Sequence, residues 1–264
     1  MADKIGKYLG KHSAYWEPFC GSMAVLLSKP AATMETVNDL HGALVNLARV
    51  LADEDSAVAL YRRLAGTLMH EDLFTEAAER MKDKSQADPI DLAYDFFLTS
   101  WMGRNGVSGT KSYNHGFCVR YTKNGGHAAK RFHSAVETIP EWHERLRHVT
   151  ILNRDGLDLI DRIEDAPGVV IYCDPPYLIK GALYVHDFES GDHLRLAESL
   201  RRFKKTRVVV SYYADARLAE LYPGWNCIDC ATTKALVNAG MRDQAGNAAV
   251  APEVLIINES KRLF

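Results

Sequence analysis

The 264-residue chain has no apolar run approaching the roughly 20 residues that cross a bilayer, so a helical membrane span is excluded and no membrane partner is expected. Its Lys-bearing start does not read as a signal peptide, which leaves the cytoplasm as the expected place. Cysteine is scarce and odd in number, five residues, which fits a reducing compartment better than a disulfide framework. Cys227 and Cys230 form one C-x-x-C with no second pair at zinc spacing, and on a strand their side chains face opposite ways, so no metal site is expected. No G-x-G-x-x-G follows the first strand, which argues against a dinucleotide oxidoreductase. An excess of one charge is also missing: 32 basic residues stand against 34 acidic ones, and overall charge does not point to a nucleic acid. Internal repeats and long low-complexity segments are absent.

At 47% hydrophobic residues, the chain can bury a full core. Its most informative stretch is Asp174-Pro175-Pro176-Tyr177, reached through the apolar run Val169-Val170-Ile171-Tyr172-Cys173. Such a run reads as a buried parallel strand. The prolines then take the chain out of the sheet at its carboxyl end, where open α/β sheets bind ligands. Asp174 and the carbonyl of Pro175 can accept both hydrogens of an exocyclic amine while Tyr177 stacks on its ring. An ordinary Pro-Pro loop is the competing reading of these four residues alone.

A second constellation lies near the start. Ala14 to Ser22 reads as a strand, a turn and then a helix from Met23 to Leu27, and the small-residue turn at Gly21 lets a ligand approach the backbone. Glu35-Thr36-Val37 is a second strand ending at Asn38-Asp39. An acid about 20 residues past a glycine turn is placed to grip ribose hydroxyls, although Asp39 could equally cap the next helix. Asp155, after a strand and before Leu157-Asp158-Leu159-Ile160, has the same two readings.

Helices are expected over Leu40–Leu51, Ser56–Leu68, Glu71–Met81, Pro89–Trp101 and about 134–147. Strands are expected at Val149–Asn153, before Asp174, and at Arg207–Ser211, Asn226–Ala231 and Val254–Ile257. Alternating strands and helices predict an α/β fold with a mostly parallel sheet covered on both faces. Gly240–Val250 reads as a hairpin loop. Between Asp95 and Glu137 there is no acid at all, while Arg104, Lys111, Arg120, Lys123, Lys130 and Arg131 alternate with aromatics and glycines. A basic, aromatic, Gly-rich loop region over about 102–133 suits a phosphate backbone and bases, with Asn105 at its mouth. A solvated basic loop is the bland alternative.

Glu17-Pro18-Phe19-Cys20-Gly21-Ser22, Asn38-Asp39 with Leu44-Val45-Asn46-Leu47, and Asp174-Pro175-Pro176-Tyr177 resemble the motifs of the D12-class (Dam-like) N6-adenine-specific DNA methyltransferase family. The likeness continues through Arg145-Leu146-Arg147 to Asn153-Arg154-Asp155, Val208–Tyr212 and Glu253–Asn258, in the family's order. It implies a Rossmann-like S-adenosylmethionine-dependent methyltransferase fold, transfer of a methyl group to adenine N6, and DNA as partner. The cofactor-binding residues it implies are Glu17, Pro18, Phe19, Cys20, Gly21, Ser22, Asp39, Asp155 and Asp174. It also implies an inserted, mainly helical target-recognition subdomain, here 51–147, between catalytic segments 1–50 and 148–264. Two positions depart from the pattern. Met23 stands where the family usually has a second glycine, and the aromatic-x-Gly-Gly-Lys segment that usually opens the family has no counterpart before Ile5–Glu17, Lys4 being the nearest candidate. RNA or another amine as substrate, a non-catalytic DNA-binding relative, and a cognate restriction enzyme or none as partner stay open.

Overall fold

A computed structural model describes residues 1–83, 87–104, 116–119, 127–178, 186–230, 232–233 and 250–258. In chain order its elements are α1 (Ala2–Leu9), β1 (Ala14–Glu17), α2 (Ala24–Ser28), β2 (Met34–Asn38), α3 (Gly42–Ala52), α4 (Glu54–Ala65), α5 (Glu71–Arg80), α6 (Pro89–Met102), α7 (Ala128–Glu137), α8 (Ile139–Leu146), β3 (Thr150–Leu152), α9 (Gly156–Ile160), β4 (Val169–Cys173), α10 (Ser190–Arg201), β5 (Arg207–Tyr213), α11 (Leu218–Leu221), β6 (Asn226–Asp229), β7 (Thr232–Thr233), β8 (Val250–Ala251) and β9 (Glu253–Ile257). They form a mixed α/β fold with a seven-stranded sheet in the order β3-β2-β1-β4-β5-β9-β6; β7 and β8 pair separately.

The chain divides into two compact units. The first is Met1–Leu40, Arg154–Leu183 and Asp187–Phe264; the second is His41–Asn153 and Tyr184–His186. In the first unit β1 runs parallel to β2 and β4, and β4 parallel to β5. β9 enters antiparallel between β5 and β6. The β-branched residues of β4 and β5 suit a sheet buried on both faces: Val170, Ile171, Val208, Val209 and Val210 are fully buried. Leu196, Leu200 and Phe203, in and just after α10, close one side of this core. Strand order reverses between β1 and β4, and at that switch point the carboxyl ends of the parallel strands leave a ligand crevice.

Among its described residues the second unit is helical apart from β3 and an isolated bridge between Gly103 and Phe117. Asp88 caps α6 by accepting from Ile90 N at 2.8 Å, with Pro89 in the first turn, where its missing N–H is no loss. The Phe97 ring lies edge-on to Phe132 of α7 at 5.9 Å, and Arg80 holds Asp95 through two 2.8 Å bonds.

Three expectations change. The single helix over about 134–147 is two, α7 and α8, broken at Thr138, because Pro140 is tolerated only in a helix's first turn. Lys130 and Arg131 consequently sit on a helix and not in a loop. Helices α10 and α11 were not read from the sequence; α10 carries a reciprocal capping box between Glu189 and Asp192. The expected hairpin loop Gly240–Val250 lies outside the described residues except for Val250.

Candidate active site

Asp174 follows directly on β4, with Pro175 buried and Pro176 and Tyr177 half-buried. The Tyr177 hydroxyl bonds to the Asp174 carboxylate. The Tyr177 ring meets Tyr213 edge-on at 4.5 Å and Tyr212 at 6.0 Å. Tyr212 is held in turn by a 3.0 Å contact between its hydroxyl and Nδ1 of buried His193. Although the outer side of Asp174 is open to solvent, the surrounding protein strips enough hydration to raise its pKa to about 6. The Tyr177 bond opposes that rise and the charge of Glu253 adds to it.

Glu253 is the first residue of antiparallel β9 and pairs across from Tyr213 at the end of β5. An antiparallel strand brings its first residue to the edge where its parallel neighbours end, so Glu253 adds a second acid beside Asp174. Neither Tyr213 nor Glu253 carried a role in the sequence reading. The only available signal was the aromatic pair Tyr212-Tyr213 after an apolar strand.

The loop after β1 forms the other half of the site. Glu17 is buried, accepts from the Tyr15 hydroxyl at 2.8 Å, and is pushed up to about 8, chiefly by burial, with the nearby Asp174 charge contributing. Behind it Lys29 pairs with Glu35 at 2.5 Å, both side chains buried, and Nζ lies 4.2 Å from the Tyr15 ring centroid. Phe19 lies against Gly156: a Cβ there would sit 2.5 Å from the ring, so a larger residue would displace Phe19. Gly21 has φ 45°, with open space where a Cβ would point, so conformation and not crowding selects glycine. Met23, two residues on, has φ 56° and is the only non-glycine with positive φ among the described residues. The family's glycine position is therefore one that favours glycine, and here a methionine occupies it. Cys20 is buried and Ser22 exposed.

Asn38 ties these loops together. It is fully buried, and its Nδ2 donates to the carbonyls of Pro18 at 2.9 Å and Arg154 at 3.0 Å, while its Oδ1 accepts from Arg154 N at 2.9 Å. Next to it, half-buried Asp39 accepts from Gly21 N through Oδ2 at 2.9 Å. Asp39 does not cap α3; His41 does, accepting from Leu44 N at 3.1 Å. Asp155 does cap α9, accepting from Leu157 N at 2.8 Å and Asp158 N at 3.1 Å, both through Oδ1.

In the second unit, Arg104, Lys130 and Arg131 are exposed. Asn105, Lys111, Arg120 and Lys123 lie outside the described residues. In the first unit, by contrast, Glu17 ends β1, and Pro18 to Ser22, Asp39, Asp155 and Asp174 to Tyr177 lie in the segments that follow β1, β2, β3 and β4.

The first-unit residues fit S-adenosylmethionine: a half-buried carboxylate ends β2, and open space lies over Gly21 beside it. The seven-stranded sheet with helices around it is the fold of an S-adenosylmethionine-dependent methyltransferase. Residues 1–236 match the sequence profile of the D12 class N6 adenine-specific DNA methyltransferases, and the chain belongs to that family. It is thus an adenine-specific DNA methyltransferase with S-adenosylmethionine as methyl donor. No curated protein matches the chain. Among solved structures, it is similar to an inferred rRNA methylase of Clostridium thermocellum at 9% identity, covering 97% of this chain and 92% of that one with a TM-score of 0.37. It is also similar to SMU.472, an inferred methyltransferase solved with SAH, at 12% identity, covering 78% and 57% with a TM-score of 0.29. No helix among the described residues is long and apolar enough to cross a membrane.

Proposed function

We propose that Asp174 and the Pro175 carbonyl receive the two amino hydrogens of an adenine taken out of the DNA stack, with Tyr177 against its ring. The observation that carries this reading is the placement of Asp174 at the end of β4, bonded to Tyr177 and partly desolvated. An amino lone pair delocalised into the purine is a poor nucleophile. Two acceptors favour a pyramidal nitrogen, and the Asp174 carboxylate stabilises the positive charge that grows on it. S-adenosylmethionine, when bound, supplies an electrophilic methyl group on its sulfonium. Above pH about 6, Asp174 is ionised, and it then takes the proton the nitrogen must lose.

Asp39 accepts from ribose hydroxyls, and Asp155, with both cap bonds on Oδ1, presents Oδ2 to the adenine of the cofactor. Glu17, Pro18, Phe19, Cys20, Gly21 and Ser22 form the wall of the cofactor site. The second unit serves target recognition, with Arg104, Asn105, Lys111, Arg120, Lys123, Lys130 and Arg131 as its phosphate and base contacts. The five free cysteines agree with a cytoplasmic place. Transfer of labelled methyl to duplex DNA, single-stranded DNA and RNA in parallel tests the reading: DNA should be the acceptor, and labelling of RNA alone would reject it.

A further inference from the structure

A groove of about 550 Å³ lies within the second unit, between the end of α6, α7 and α8. Trp101 and Trp142 line it together with His127, Lys130, Arg131 and Thr138, and its walls are mostly apolar. Trp101 is half-buried and braced from behind by Phe97, with ring centroids 6.0 Å apart. Trp142 is half-buried on α8. Among the described residues neither indole N–H has an acceptor, and neither Lys130 nor Arg131 has an ion-pair partner.

Both cations lie near the start of α7, which has no acid in its first turn and no side-chain cap from His127. Positive charge at that end of a helix is unfavourable unless an anion offsets it. An apolar, indole-lined groove beside two exposed cations matches a nucleotide: a flat ring that any indole face can stack on, joined to a phosphate.

We propose that this groove takes one unstacked base of the DNA, its ring against Trp101 and Trp142 and its phosphate on Lys130 and Arg131. The proposal rests on the chain acting on DNA, because taking an adenine out of the duplex leaves its former partner without a mate and easily unstacked. It adds a base site in the second unit to the adenine pocket of the first.

Tryptophan fluorescence of the full chain, titrated with a single-stranded oligodeoxynucleotide and with its duplex, tests it. Stacking predicts saturable quenching. Trp142→Ala should bind about tenfold more weakly with an unchanged salt slope, since one base stack is lost and no charge. Replacing Lys130 and Arg131 with Ala should flatten the log–log salt slope on the single strand by up to about 1.4 units, at roughly 0.7 per phosphate. Trp142→Phe keeps a ring and should bind within about threefold of wild type, which separates lost stacking from a folding defect. Trp142→Ala with unchanged affinity, or the double variant with a wild-type slope, would overturn the groove even if DNA is methylated. Absence of any methyl transfer to DNA would instead overturn the reading on which the groove rests.

Discussion

The backbone N–H of Gly21 donates to Oδ2 of Asp39 at 2.9 Å, so the turn after β1 hangs from the end of β2. One carboxylate thus shapes the cofactor loop beside the site proposed for the ribose. A carboxylate–diol contact in a partly buried site contributes about 1.5–3 kcal/mol, or one to two decades of affinity. Asp39→Ala should weaken S-adenosylmethionine by that amount in calorimetry while the chain stays folded. Asp39→Asn keeps an acceptor for Gly21 and should fall between the two. Unchanged affinity in Asp39→Ala would leave Asp39 as a loop tie alone.

The raised pKa of Asp174 sets a pH limb. The acceptor is the ionised form, which is lost as pH falls through about 6. Below that point kcat/KM for DNA should drop about tenfold per pH unit. Glu253→Gln removes a negative neighbour, favours the carboxylate, and should move the limb to lower pH. A limb that stays in place in Glu253→Gln would show that Glu253 does not act on Asp174.

Glu17 predicts an opposite dependence for stability. Its folded pKa of about 8 exceeds the ordinary 4.5, so the unfolded chain gives up this proton first as pH rises. Stability is therefore lost between pH about 4.5 and 8. Glu17→Gln keeps an acceptor for Tyr15 and removes the titration. Its melting temperature should exceed wild type at pH 8.5 and approach it at pH 5. Parallel melting curves of the two proteins across that range would contradict a buried, proton-holding Glu17.

Much of this site was legible in the chain. The apolar run into Asp174 reads as a buried strand ending in a loop that prolines force out of the sheet. The helices before residue 103 were expected from the sequence, and Asp88 with Pro89 opens the last of them. What stayed hidden depends on partners far away in sequence. The amide of Asn38 meets Arg154 across 116 residues, and Glu253 reaches the site only because β9 runs against its neighbours. Nothing local encodes either fact. Asp39 and Asp155 were ambiguous because a helix cap and a ligand acceptor ask for the same side chain; three-dimensional placement frees Asp39 from capping and assigns Asp155 to it. The left-handed backbone at Met23 was invisible for a related reason, since methionine gives no sign of a positive φ.

Asn38 is where loss should be structural. Asn38→Ala leaves the Pro18 carbonyl without its side-chain donor and deletes both links to Arg154, removing three bonds around a buried position. An unsatisfied buried polar group costs about 1–3 kcal/mol, and for a chain this long each kcal/mol lowers Tm by about 2–4 °C. A melting curve should show that fall together with weaker cofactor binding. An unchanged Tm would mean that the loops are held by other contacts.

The most direct measurement incubates wild type and Asp174→Ala with S-adenosylmethionine and duplex DNA, digests the DNA and identifies the methylated nucleosides. N6-methyldeoxyadenosine should appear with wild type. Asp174→Ala should make less than about a hundredth as much, the loss of roughly 2.7 kcal/mol expected for a contact that acts on developing charge, while its S-adenosylmethionine affinity stays within a few-fold. A different methylated nucleoside, or an Asp174→Ala variant that retains most of the activity, would contradict adenine methylation centred on Asp174.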